Sequence, residues 1–487
     1  MHVPTPRRTG VLVAATCGAQ FMAITDDTIV NVALPSIRAD LGFTGASLAW
    51  VVDAYMLMFG GFLLLSGRTA DALGHHRVFT TGTALFAAAS LAAGMASSPT
   101  TLVIARGVQG LGGALIGPSA LAILVTTFPD PARRRRVLSL WGSLAGLAAV
   151  TGLLLGGVIT DTVGWRWAFL VNAPVGVAVV AAVLATMTGK TRDDVAPDPT
   201  SDPATAPDRR VDLLGATLVT AGLLLLVHTV IQTAHHPWGS PRTLAGLTGA
   251  AVLLALFLLR QTTATQPLVP ASLLTRDLCV AAVAMLLTAG AMFSVTFFLS
   301  QYMQLVQGWS PLRTGLSWIP FSILIAVSAA LTVALTPRVG VRALTVAGLG
   351  IATAGQLLLL RTTPGGPYTT ELLPVLLILG TGFGLTLIPL VVASLHTINP
   401  GDSGTASGLV TTAQQIGGAI GVAALATLAA DRFTDLLPTA ATPAAAMTDA
   451  FHSAFAAGAC VTALAALVVL ALPALREEVD LVALQGS

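Results

Sequence analysis

The chain has 487 residues, 54% hydrophobic and only 9% charged, with a mean hydropathy of +0.83. Soluble proteins carry about a quarter of their residues as charges, so soluble multidomain, disordered, collagenous and disulfide-rich classes are excluded and a polytopic membrane protein is indicated. A net charge of +2 with scattered basic residues is no nucleic-acid surface.

A helix needs about 20 apolar residues to cross a hydrocarbon core of about 30 Å, because lipid cannot satisfy a free backbone group. About fourteen stretches qualify: 11–35, 47–66, 78–97, 100–126, 139–159, 168–188, 213–232, 243–261, 278–303, 313–336, 341–361, 372–396, 405–429 and 451–472. Arg7 and Arg8 precede the first run, but it continues past Asp26 and Asp27 to Pro35 without a small-residue cleavage site, which reads as an uncleaved span. An even span number puts both termini on one side. Lys and Arg favour that side by roughly 17 to 6, so both termini are expected in the cytoplasm.

The polar segment 189–212, rich in Pro, Asp and Thr, reads as a cytoplasmic linker. It separates a six-span bundle at 1–188 from a pair of extra spans at 213–261 and a second six-span bundle, with a short cytoplasmic tail, at 262–487. The loop from Ala430 to Ala450 is expected outside. Cys17, Cys279 and Cys460 lie far apart in apolar runs and read as small buried hydrophobes, without disulfide or metal role.

Charges at membrane depth cost several kcal/mol and mark functional paths. In span one, Thr16, Gln20, Asp27 and Asn31 share an arc of about 60° on a helical wheel, and Asp26 points about 100° away, which favours Asp27 for a wet face. Asp53 in span two stands between Trp50 and Tyr55, read as an interfacial aromatic pair, and suits either a solvated helix end or a cavity wall. No acid lies mid-membrane in the second half.

After span two, Gly67 and Gly74 permit turns, Asp71 suits a cap and Arg77 adds cytoplasmic charge. In span four, Arg106 shares a face with Gly110, Gly113 and Gly117, a close-packing glycine stripe carrying a fixed charge beside Gln109. That arginine suits a partner for a protonatable aspartate. Gly156 and Gly157 of span five suit a helix crossing, and Trp165 and Trp167 an interfacial belt. In span thirteen, Gln414 and Gln415 offer amides to a substrate or a neighbouring helix.

Other chemistries fail on spacing. Gly189-Lys190-Thr191 lacks the glycine a phosphate loop requires five positions earlier, where Leu184 stands. The pairs His75-His76 and His235-His236 lack metal-ligand spacing, and no nucleophile motif stands beside a base. The chain is therefore expected to be no enzyme and to use no cofactor or metal.

Taken together, D-x-T-I-V-N-V-A-L-P-x-I at Asp26 to Ile37, W-V-x-x-A-Y at Trp50 to Tyr55, G-x-x-x-D-x-x-G-x-x-R at Gly67 to Arg77, L-x-x-x-R-x-x-Q-G at Leu102 to Gly110, W-R-W-x-F-x-x-N-x-P-x-G at Trp165 to Gly176 and Q-x-x-x-G-x-S-P-x-x-x-G at Gln304 to Gly315 resemble the major facilitator superfamily. The resemblance is to its fourteen-helix drug:proton antiporter branch, the bacterial antibiotic and multidrug efflux transporters. It implies an all-α fold of two six-helix bundles plus two inserted helices and alternating access driven by the proton gradient. It also implies a bacterial cytoplasmic-membrane location.

The resemblance implies a proton-coupling role for Asp26 and Arg106, ranking Asp26 above Asp27, with Asp53 as a further candidate. It implies a cytoplasmic gate at Gly67, Asp71, Gly74 and Arg77. Gln20, Asn31, Gln109, Gln414 and Gln415 are the expected cavity residues for a lipophilic small molecule, and Gly110, Gly113, Gly117, Gly156 and Gly157 the packing residues. Three acids against one arginine favour a cationic substrate, and a monomer is the expected functional unit. The chain departs from the pattern at Leu153, where the antiport signature carries proline, at Ala148, where it carries glycine, and in the gate, where Ala72, His75 and His76 replace basic residues.

Overall fold

A computed structural model describes residues 6–44, 47–128, 130–187, 212–233, 236, 238–264, 267–396, 398 and 403–472. The linker expected at 189–212 lies outside the described residues except for Asp212. Helices α1 (Pro6–Leu41), α2 (Trp50–Leu73), α3 (His75–Gly94), α4 (Pro99–Thr127), α5 (Pro131–Thr162), α6 (Arg166–Leu170) and α7 (Asn172–Met187) form the first bundle. A hairpin of α8 (Leu213–Gln232) and α9 (Pro241–Thr263) follows. The second bundle comprises α10 (Arg276–Gln301), α11 (Pro311–Ser317), α12 (Ile319–Val339), α13 (Val341–Leu358), α14 (Leu373–Leu395), α15 (Ser403–Leu436) and α16 (Pro443–Val469), with no strand among the described residues.

Among the described residues sixteen α-helices make fourteen rods, α6 continuing into α7 and α11 into α12, in the order of the expected spans. Eleven of them are long and apolar enough to cross a membrane. The exceptions are α1, which carries two mid-helix acids, α3, which opens on His75-His76-Arg77, and α5, whose apolar part is Val150–Thr162 after an arginine-rich start.

The ends are written in the sequence. Helices α4, α5, α9, α11 and α16 each start at a proline preceded by Ser98, Asp130, Ser240, Ser310 or Thr442, whose side-chain oxygen accepts from a backbone N–H three residues on. The cap satisfies an orphan donor and the proline needs none. The same signals shorten the expected external loop: α15 runs to Leu436 and α16 begins at Pro443, so most of 430–450 is helical. Cys17 is buried as expected, but Cys279 and Cys460 are exposed on the outer surface of the bundles, a face that lipid accepts for an apolar thiol.

The two bundles repeat one packing scheme. A methyl group on Gly110 of α4 would come within 2.3 Å of the Tyr55 carbonyl oxygen of α2, and one on Gly380 of α14 within 2.5 Å of the Phe321 carbonyl oxygen of α12. On the opposite faces, a methyl on Gly112 would come within 2.8 Å of the Phe86 backbone nitrogen of α3, and one on Gly382 within 2.5 Å of that of Ala352 of α13. Small residues let these helices touch backbone to backbone, the usual association mode where lipid removes the hydrophobic drive. Arg106 of α4 corresponds in this repeat to Leu376 of α14, so among the described residues one architecture holds a charged interior in the first bundle and an uncharged one in the second.

The bundles meet closely on the face to which α1 leads. A methyl group on Gly157 of α5 would come within 2.7 Å of the Pro311 carbonyl oxygen and one on Gly315 of α11 within 2.5 Å of that of Leu153, and Gln304 donates to the Val32 carbonyl at 2.9 Å. Toward the other face α2 and α15 touch, with Gly60 against Gln415 and Gly408 against Leu64. Helix α8 lies along α2 and α15, with Gly61 against Thr220 and Thr427 donating to the Val230 carbonyl.

Candidate functional site

At the heart of the first bundle, five helices converge on Asp26 of α1. Its Oδ2 accepts from Arg106 Nη1 at 2.5 Å. Its Oδ1 accepts from Gln109 Nε2 at 2.8 Å and Asn172 Nδ2 at 2.6 Å. Arg106 and Gln109 sit three residues apart on α4, hence on one face. Arg106 Nη1 also donates to Gln109 Oε1 at 2.7 Å, its Nε donates to the Val51 carbonyl of α2 at 2.9 Å, and Gln109 Nε2 reaches Ser90 Oγ of α3 at 2.7 Å. The guanidinium lies 4.5 Å from the Tyr55 ring centre and 5.7 Å from that of Phe169.

Asp26, Arg106 and Gln109 are 1%, 0% and 0% exposed. A charge pair so enclosed is tolerated only when its remaining lone pairs and protons are also bonded, and here three donors serve one carboxylate. Arg106 Nη2 alone has no hydrogen-bond partner among the described residues. It faces the two aromatic rings, which supply a π-face in place of an acceptor. The close approach at Gly110 brings Tyr55 and the Val51 carbonyl over the arginine.

The wheel's preference for Asp27 does not describe where Arg106 is. Asp26 faces α4 and α7, whereas Asp27 is half-buried and its Oδ1 has no partner among the described residues. Asn31, on the Asp27 side, bonds the Asp27 carbonyl at 3.1 Å, and Gln20 Oε1 lies 3.9 Å from where a methyl on Gly117 would stand. Gln109 is enclosed in the cluster rather than placed on an open cavity wall, because it satisfies Asp26 and Ser90 at once. Gln414 is half-buried and Gln415 buried at the α2–α15 crossing.

Asp53 and its neighbours differ from the interfacial picture. Asp53 is 0% exposed, with both carboxylate oxygens unpartnered among the described residues, and Tyr55 is a buried residue against Arg106. Trp50 packs on His228 of α8, ring centres 6.0 Å apart. In the expected gate, Gly74 takes φ +95°, joining α2 to α3, and Arg77 is exposed. The side chain of Asp71 lies outside the described residues. A methyl on Gly113 would stand 3.0 Å from the Tyr55 hydroxyl, and one on Gly156 would stand 2.7 Å from the Ile29 carbonyl oxygen.

Asn172, Ser90 and Tyr55 escaped the reading of candidates although Asn172 and Tyr55 stand within quoted motifs. A wheel shows which residues share a face but not what that face meets. The Trp165-Arg166-Trp167 segment has a role beyond a belt: Trp165 Nε1 donates to Asp40 Oδ2 at 3.0 Å, Arg166 pairs with the same oxygen, and Arg166 Nη2 donates to the Ala96 carbonyl at 3.1 Å. These contacts hold the Asp40 carboxyl below the usual carboxylate range, the Arg166 hydrogen bond first and the indole second.

A family model described as Major Facilitator Superfamily matches residues 16–422. The chain is 37% identical over 429 residues to the puromycin resistance protein pur8 of Streptomyces alboniger, covering 87% of this chain and 82% of that one. It is 38% identical over 429 residues to the cephamycin export protein CmcT of Amycolatopsis lactamdurans, covering 87% and 85%. It is 33% identical over 434 residues to the tetracenomycin C resistance and export protein of Streptomyces glaucescens, covering 88% and 77%. Among solved structures, an auto-inhibited POT family peptide transporter superposes with TM-score 0.68 at 17% identity, over 95% of this chain and 96% of that one. A bacterial homologue of the human lysosomal transporter Spinster, inward-facing and unoccupied, gives 0.64 at 16%, over 96% and 97%. With the repeated bundles and these matches in hand, the chain belongs to the Major Facilitator Superfamily and is a multi-pass membrane transporter.

Proposed function

We propose that this transporter exports a lipophilic small molecule of the antibiotic or drug class across a bacterial cell membrane, with both termini cytoplasmic, in exchange for protons. The export reading is supported by the relatives named for puromycin resistance, cephamycin export and tetracenomycin C resistance and export. The coupling reading is carried by one observation, the enclosed carboxylate of Asp26 held by Arg106, Gln109 and Asn172.

As a carboxylate, Asp26 ties α1 to α4 and α7 through three donors. A proton on it cancels the charge that balances Arg106 and removes an acceptor site, so those ties weaken and α1 is freed to move against its neighbours. Proton binding and release at this point would thereby favour different arrangements of the first bundle. Asp27, half-buried on the next face, would receive the proton or a cationic group of the substrate, with Gln20 and Asn31 on the same side. One charge crossing the membrane gains about 2.3 kcal/mol per 100 mV, against about 1.4 kcal/mol for a tenfold concentration ratio, so one proton sustains a gradient of tens-fold.

The test is drug-driven proton release in proteoliposomes, alongside uptake of labelled puromycin into everted vesicles. Asp26→Asn is expected to abolish proton release. Unchanged release in both Asp26→Asn and Asp27→Asn would overturn the coupling assignment, and ATP-independent movement in the opposite direction would overturn export.

A further inference from the structure

A half-open cavity of about 220 Å³ lies on the face to which α1 leads, between the end of α1 and helices α10, α15 and α16. It shares no residue with the Asp26 cluster. Phe298 packs against Phe297 and Phe451, with ring centres 5.1 and 5.7 Å apart, and all three line the cavity. Phe451 stands about 12 Å along α16 from its Pro443 start, so the aromatic part reaches well below the mouth.

Two polar side chains face this aromatic space. Gln301 is only 4% exposed, and among the described residues its amide makes no hydrogen bond. Arg38, half-buried at the end of α1, makes none either. Asp431, the acid in the lining, already takes part in an interaction within the protein. Buried polar groups are nearly always paired, and an unpaired amide beside an uncommitted guanidinium defines hydrogen-bonding capacity that the protein itself leaves unused. Aromatic walls favour a flat ring system, and the donors favour an acceptor or anionic oxygen on it.

We propose that this cavity is a second ligand site, for an aromatic ring compound carrying an acidic or acceptor oxygen that meets Arg38 and Gln301 while its rings lie among Phe297, Phe298 and Phe451. The site stands apart from the export reading, because its occupancy requires neither proton coupling nor a direction of transport.

The experiment is equilibrium binding of 2-naphthoate to the full chain in lipid nanodiscs, compared with 2-naphthalenemethanol and 2-naphthylmethylammonium. One saturable naphthoate site is expected, at least about tenfold tighter than for the ammonium compound, as a charge-assisted contact implies. Arg38→Gln should bring naphthoate down to the affinity of the alcohol, Ala429→Trp should fill the cavity and abolish binding, and the double substitution Asp26→Asn with Arg106→Leu, which leaves no uncompensated charge in the first bundle, should leave binding within about twofold, no shared contact being lost. The probe series needs no variant, and Arg38 is at a half-exposed helix end where substitution leaves the core intact. Absence of a saturable site, a preference for the cation, unchanged binding in both Arg38→Gln and Ala429→Trp, or loss in the folded double variant would each overturn the proposal. The last result would place the probe in the first bundle and leave the coupling assignment to be judged by its own proton-release test.

Discussion

Arg106 Nη1 lies 2.5 Å from Asp26 Oδ2 with neither side chain reached by solvent, and two further amides close on the same carboxylate. Removing one partner from such a pair leaves the other buried and uncompensated, which costs about 3–5 kcal/mol, whereas removing both costs far less. Arg106→Leu alone should therefore lower the melting temperature sharply, and Arg106→Leu with Asp26→Asn should recover most of it without recovering drug-driven proton release. Thermal unfolding in detergent, read beside transport in proteoliposomes, separates the two effects.

Asn172→Leu removes one donor to the carboxylate while leaving the ion pair. A hydrogen bond to a charged group is worth about 1.5–3 kcal/mol, so the loss of stability should fall between wild type and Arg106→Leu. Thermal unfolding checks the ranking, and a variant as stable as wild type would remove Asn172 from the cluster's energetics.

The repeated crossings predict a matched pair of failures. Gly110→Ala and Gly380→Ala each drive a methyl into a carbonyl oxygen at 2.3 and 2.5 Å, and backbone cannot swing aside as a flexible side chain can. Both should reduce folded yield, by about 1–3 kcal/mol or more in stability. Gly350→Ala, where nothing lies within 4 Å, should be silent or slightly stabilising in the same assay.

Asp40 offers a pH signature outside the membrane-spanning part. Its proton affinity is lowered in the folded chain, so its stabilising contribution is present above the ordinary carboxylate value of about 3.9 and is lost as pH falls through the lowered value. Asp40→Asn should lower the melting temperature by a small amount at pH 7 and by less as the pH falls below that ordinary value. The contact is exposed, so the effect should also shrink in high salt.

Apolar length placed the rods in the right order but set the starts of α4, α5, α9, α11 and α16 one to eight residues late, because hydropathy does not register the Ser-Pro, Asp-Pro and Thr-Pro signals at which these helices begin. Periodicity preferred Asp27 for the polar face and could not show that the face of Asp26 meets Arg106, because only the neighbours decide which face holds the charge pair. The donor to Asp26 from α7 lies 146 residues away in sequence, a distance no local pattern spans. Asp53 was ambiguous for the opposite reason: flanking aromatics suggest an interface when read along one helix, and α2 is in fact covered by α4, α8 and α15.

The correspondence of Arg106 with Leu376 has a mechanical meaning. Two bundles built on the same backbone crossings differ in whether their interior holds a charge pair. On the coupling proposed above, a proton at Asp26 loosens the ties among α1, α4 and α7, and the uncharged bundle has no matching pair to respond. The uncharged bundle would then act as the fixed frame and the charged one as the arm, and an acid–arginine pair transplanted to α10 and α14 would be expected to make the two bundles compete instead of cooperate.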